Sequence, residues 1–95
     1  MFKKGDFVRV KPGTKIVTGE TVTDWAGEIF QVSPEEETCT VVFDAPTIDA
    51  FSDHYLKKMT ELDALLLEYI FPFSELELAE RRDTEEEQRL AIDRM

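Results

Sequence analysis

Three runs of alternating character, "DFVRVK" at 6–11, "WAGEIFQV" at 25–32 and "TCTVVF" at 38–43, fall within the first 43 residues. In a strand every second side chain points to the same side, so such alternation buries one face and leaves the other to water. Val8 and Val10 oppose Arg9 and Lys11 in the first run, and Cys39, Val41 and Phe43 share a face in the third. With Ile29 of the second run, Val8, Val10, Val41 and Phe43 are the expected core. Pro12-Gly13 ends the first run, because proline lacks the ladder donor and glycine takes turn dihedrals freely. "SPEEE" at 33–37 is a polar turn, and "DAPT" turns the chain after the third run. A short fourth strand is expected to begin at Thr47-Ile48. Gly27, inside the second run, predicts a bulge or a sharp bend.

The pattern changes after residue 50. From Tyr55, apolar residues fall at 55, 59, 62, 66 and 69, which is helical spacing and predicts a helix over about 53–70. Ser52 or Asp53 is its N-cap, since either side-chain oxygen can accept from the first free backbone amides. Pro72 stops any helix at or before Phe71. "SELELAE" alternates again and predicts a closing strand over about 75–80. In "DTEEEQRLAIDRM", Thr84 precedes Glu87 by three residues, the spacing of a capping box. Residues 82–95 are therefore expected as an acidic C-terminal helix or tail, frayed or docked elsewhere.

Seven phenylalanines and a 42% hydrophobic content suit one compact domain. No run of eighteen apolar residues is present, so no membrane partner is expected. The opening "MFKKGDFVRV" has no apolar run of signal-peptide length, and the lone Cys39 has no partner for an internal disulfide, so the expected location is cytoplasmic. The formal net charge is −10, which opposes attraction to nucleic acid or to an anionic membrane. The charge is uneven: residues 1–19 carry Lys3, Lys4, Arg9, Lys11 and Lys15 against Asp6 alone, +4, while the remaining 76 residues carry −14.

The order "KKGDFVRVKPGT", "DWAGEIFQV", "TCTVVFD", "SELELAE" resembles the Src-homology-3-like barrels of the KOW and Tudor kind over roughly residues 3–81. In those barrels a Lys-Gly-Asp turn leads into the first strand, a long loop follows, and a glycine in the second strand permits tight coiling. The resemblance implies a mainly β fold: a small five-stranded antiparallel barrel at 1–81, with a helical insertion at about 53–70 before the last strand and a C-terminal helix after it. It also implies a habit of binding peptides, modified side chains or nucleic acid. It implies no reaction. The loop over 12–24 then reads as scaffold first and groove wall second. Its glycines lack the spacing of a phosphate loop, for "GTKIVTG" is followed by Glu20 rather than lysine.

Two readings of Trp25 are open: a flat surface for an extended ligand, or a plug in one end of the barrel. Phe51 and Tyr55 are further candidate walls, and Asp24, Asp49 or Asp53 would complete the chemistry of an aromatic cage for a methylated cation. Catalysis has little support. His54 is the only histidine, and a Cys39–His54 nucleophilic pair is countered by the place of Cys39 among core residues. The triplets Glu35–Glu37 and Glu85–Glu87 read as solvated. No cysteine or histidine cluster has zinc spacing, and Asp44, Asp49 and Asp53 do not fit a calcium loop. No enzyme, cofactor or metal is expected.

"LDALLLEYIFPF" holds more apolar groups than one helix stripe can bury. The surplus predicts burial on two sides, by the C-terminal helix or by a partner chain, with Leu66 and Tyr69 as candidate partner contacts in a homodimer; the same segment also fits an edge strand paired in a dimer, or a leucine run that caps the open end of the barrel. The resulting expectation is a non-enzymatic module that binds a protein or peptide partner. The alternatives are an acidic regulator that imitates the phosphate backbone toward a nucleic-acid-binding protein, and direct nucleic-acid binding through the basic N-terminal strand, which the charge makes unlikely.

Overall fold

Alternation becomes a five-stranded antiparallel sheet in the computed structural model, which describes residues 1–95. The strands are β1 (Phe7–Val10), β2 (Ala26–Ser33), β3 (Thr38–Phe43), β4 (Glu68–Pro72) and β5 (Leu76–Leu78). Their order across the sheet is β4-β3-β2-β1-β5. The ladder does not close on itself: β4 and β5 are its edges, joined only by a 3-10 turn at Phe73–Glu75. Three helices complete the domain: α1 (Ala45–Asp49), α2 (Asp53–Glu61) and α3 (Glu85–Arg94). None is long and apolar enough to cross a membrane.

The inner face of the sheet carries the expected core. Val8, Val10, Ile29, Val41 and Phe43 are all buried, joined by Cys39, Phe71 and Leu76. The long excursion between β1 and β2 folds back on itself through a Lys15–Thr21 bridge and sends Ile16 and Val22 into the same core. Its tip turns at Gly19, whose φ of 85° is open to glycine at little cost. Gly27 is not a bulge. It pairs with both Val8 and Phe43, and a Cβ there would meet the Val42 carbonyl and lie 2.8 Å from Val41 Cγ1. The irregularity in β2 falls three residues later, at Phe30, between the pairs Ile29–Val41 and Gln31–Thr40.

Two further expectations give way. Thr47-Ile48 belong to α1, not to a strand: Asp44 caps the helix by accepting from the Thr47 N–H, and Pro46 sits in the first turn, where a missing N–H costs nothing. The helix begun at Asp53 ends at Glu61 rather than near residue 70. The chain leaves it through Asp63 in a left-handed conformation (φ 54°), and Glu68–Pro72 then pairs with Thr38–Val42. Only Tyr55 and Met59 of the five spaced apolar residues are buried from the helix. The helical insertion therefore precedes the last two strands. Residues 82–95 are not a loose tail. Thr84 and Glu87 form the capping box, Ala91 is buried, and Arg94 reaches Asp49 at 2.8 Å where α3 lies against α1.

The N-cap of α2 is wired to the long excursion. The Ser52 hydroxyl accepts from the Tyr55 N–H and donates to Glu20, whose carboxylate also accepts from Thr18. The bonds from Thr18 and then Ser52 hold the Glu20 carboxyl below its ordinary range.

Two outcomes follow. Phe43→Ala should lower stability in urea titrations by about 3–5 kcal/mol, as for other fully buried phenylalanines; a loss under about 1 kcal/mol would contradict the inward face of β3. Glu20 is depressed in the folded state, so its contribution is present above its unfolded value of about 4.3 and fades as pH falls through the folded value. Thermal melts should therefore show Glu20→Gln less stable than the parent at neutral pH, with the gap closing in acid.

Candidate functional site

The aromatics singled out from the sequence do come together, but facing inward. Trp25 is only 6% exposed. Its ring packs at 5.1 Å from Phe43, 5.5 Å from Phe51 and 5.3 Å from Tyr55, and Phe51 lies 4.6 Å from Tyr55. A cation cage needs an open centre, and here the rings fill one another's space. Trp25 is thus a core residue and offers no flat outer wall. Tyr55 is buried as well; its hydroxyl donates to the Leu66 carbonyl, and burial, then Tyr69, pushes its phenol upward. Leu66 is half-buried against the core in the connection before β4, so it forms no helical seam. Tyr69 stacks on Phe71 at 4.7 Å and accepts the Val17 N–H.

Asp24 is exposed and belongs to a charge network rather than a groove. Arg82 binds Asp24 at 2.9 Å and the buried Asp44 at 2.7 Å, and also donates to the Thr47 hydroxyl. The hydrogen bond that Arg82 donates to the Asp44 carboxylate raises the guanidinium above its ordinary value. Asp83 accepts the Ala45 N–H, adding a second carboxylate at the start of α1. No buried side-chain nitrogen or oxygen lacks a partner, so the interior of this network is satisfied within the chain. Asp49 is taken by Arg94, and no three His, Cys, Asp or Glu side chains are grouped to hold a metal ion. Cys39 is buried in β3 and its thiol is pushed up by burial and by Asp6, the wrong direction for a nucleophile. His54 lies exposed on α2 while Cys39 is buried in the sheet.

The unsatisfied surface is on the other side of the sheet. Phe30, Leu65 and Ile70 are 51%, 67% and 62% exposed. Ile70 pairs with Thr40, Thr40 pairs with Gln31, and Phe30 bulges beside them. These residues and Leu65 line one groove of about 440 Å³, with Glu68 at its β4 side. Lys4 places its ammonium 5.5 Å from the Phe30 ring centroid, and Lys3 lies in the adjoining depression. A cation over an aromatic face is stabilised by the ring quadrupole. The sequence carried a signal for this face. In "EIFQ" and "YIF", large apolar residues are adjacent, and a strand of period two must send one of each neighbouring pair outward.

Comparison with protein-family models, with curated proteins and with solved structures returned no match.

Removal of the Arg82 side chain tests the network. Arg82→Gln leaves the Asp44 carboxylate buried without its counter-charge and should cost about 2–3 kcal/mol in denaturant melts. That is less than for a fully buried pair, because the Arg82 side chain keeps 28% of its surface accessible.

Proposed function

We propose that this chain is a non-enzymatic protein-interaction module, and that its binding surface is the outer sheet face around Phe30, Leu65 and Ile70. One observation carries the reading: three separate elements bring large exposed apolar side chains to a single groove, while the polar groups of the interior are all paired. Contiguous apolar patches of this kind mark contact surfaces more often than scattered exposed leucines do. We take the sheet as an open Src-homology-3-like barrel. The order β4-β3-β2-β1-β5, the long excursion between β1 and β2, and the 3-10 turn between the edge strands support that assignment. The binding face proposed here is not the aromatic groove of the peptide-binding members, because Trp25 is turned inward.

The test is a comparison of immobilised proteins at physiological salt. The parent should retain a protein partner that Phe30→Ser combined with Ile70→Ser fails to retain, while that double variant melts within a few degrees of the parent. Retention by the double variant would move the binding surface elsewhere on the molecule.

A further inference from the structure

We infer that the occupant of this face is a second copy of the same chain, docked face to face about a two-fold axis that passes near Thr40. The inference rests on the reading of the outer sheet face as the interaction surface, and names what covers it.

The argument starts from the distribution of charge. Along the line from the N-terminal segment through β2 and β3 to β4, the face runs from cationic to apolar to anionic. Lys3 and Lys4 stand at one end, fixed beside β2 by the Gly5 N–H bond to the Ile29 carbonyl. Phe30, Thr40 and Ile70 occupy the middle, and Glu68 stands at the far end beside Leu65. Neither Lys3, Lys4 nor Glu68 takes part in an ion pair within the chain. Lys4 meets the Phe30 ring, and neither ammonium meets a carboxylate of its own chain.

A two-fold contact sets each residue against the residue on the opposite side of the axis, so it requires a surface that complements itself. This face does so. Half a turn about an axis that lies in the contact plane over Thr40, parallel to the strands, brings the Lys3–Lys4 end of one copy over the Glu68 end of the other, twice, and lays Phe30 against the partner copy's β4 side, where Ile70 stands. A partner of uniformly basic surface would meet Lys3 and Lys4 here, and a uniformly acidic one would meet Glu68. Only a partner whose charge reverses across the contact satisfies both ends. The overall −10 on each copy works against approach, but repulsion between distant surface charges is screened beyond roughly 8–10 Å at physiological salt, and the local pairing at this face is attractive.

The experiment is sedimentation equilibrium of the full chain from low to high micromolar concentration, at two salt levels. The parent should move from its monomer mass of 11.0 kDa toward twice that value. The variant with Lys3→Glu and Lys4→Glu, and separately Glu68→Lys, should each self-associate roughly tenfold more weakly, since each now sets like charges against one another. An equimolar mixture of the two variants should recover the parent affinity, because both charge contacts of the mixed pair are again attractive. A merely structural role for these residues within one chain predicts no recovery on mixing. A parent that stays monomeric throughout, or a dimer unaffected by these substitutions and by Phe30→Ser, overturns the inference. The second result would place the seam elsewhere, for example along the free edge of β4. If the parent is monomeric yet retains a foreign protein that is lost with Phe30→Ser and Ile70→Ser, the face is an interaction surface with a different occupant. If neither association is seen, the broader reading falls as well.

Discussion

A carboxylate withdrawn from water must find both a counter-charge and donors, and Asp44 finds them in the Arg82 guanidinium and the Thr47 N–H. Its backbone N–H continues the sheet to the Ala26 carbonyl, its side chain caps α1 through Thr47, and Arg82 closes the site from the C-terminal segment. The Thr47 hydroxyl bridges back to both the amide and the carbonyl of Ala26. The last inward residue of β3, the first turn of α1, the start of β2 and the approach to α3 are therefore held at one point. Each of those elements is short, and an isolated helix of five residues has no stability of its own in water. The junction supplies what local propensity does not.

The same requirement explains why the aromatic cluster is core and not groove. α1 and the N-cap of α2 lay Phe51 and Tyr55 over Trp25, and Glu20 anchors that cap from the loop. Once the helices are set there, the inner face of the sheet is sealed. What remains for recognition is the outer face, where β4 shows Ile70 and the bulge in β2 shows Phe30. Function, on the reading proposed above, is relegated to the side of the sheet that the helices leave bare.

Much of this was legible in the sequence wherever a single periodicity ruled. Three strands, five core residues, a cap at Ser52 or Asp53 and the Thr84–Glu87 box follow from local pattern and chemistry alone; the structure selects Ser52. The errors gather where two patterns overlap. Tyr55, Met59, Leu62, Leu66 and Tyr69 keep helical spacing across a boundary that Asp63 imposes by its backbone conformation, and pairing with β3 then overrides the helical period. Asp44-Ala45-Pro46 reads locally as a turn, and the bonds from Thr47 and Arg82 make it the start of a helix instead. Trp25 was open in the sequence because burial of a tryptophan depends on what is laid over it, and the covering residues lie 26 or more positions away. The outer patch was written in the adjacent apolar pairs Ile29-Phe30 and Tyr69-Ile70, but its charge gradient depends on the strand order.

The strand order also sets a temporal constraint. β1 is flanked by β2 and by β5, and the latter contact joins Arg9 to Glu77 across 68 positions. Closing so long a loop is entropically costly and is postponed until most other contacts exist. A chain emerging from a ribosome therefore holds one side of β1 without a hydrogen-bonded neighbour until residues 76–78 are free to reach it. During that interval a strand edge is open, and a four-residue strand bearing Arg9 is a poor template for a stray chain. Arg9, within β1, is the kind of charged residue that discourages stray pairing at such an edge.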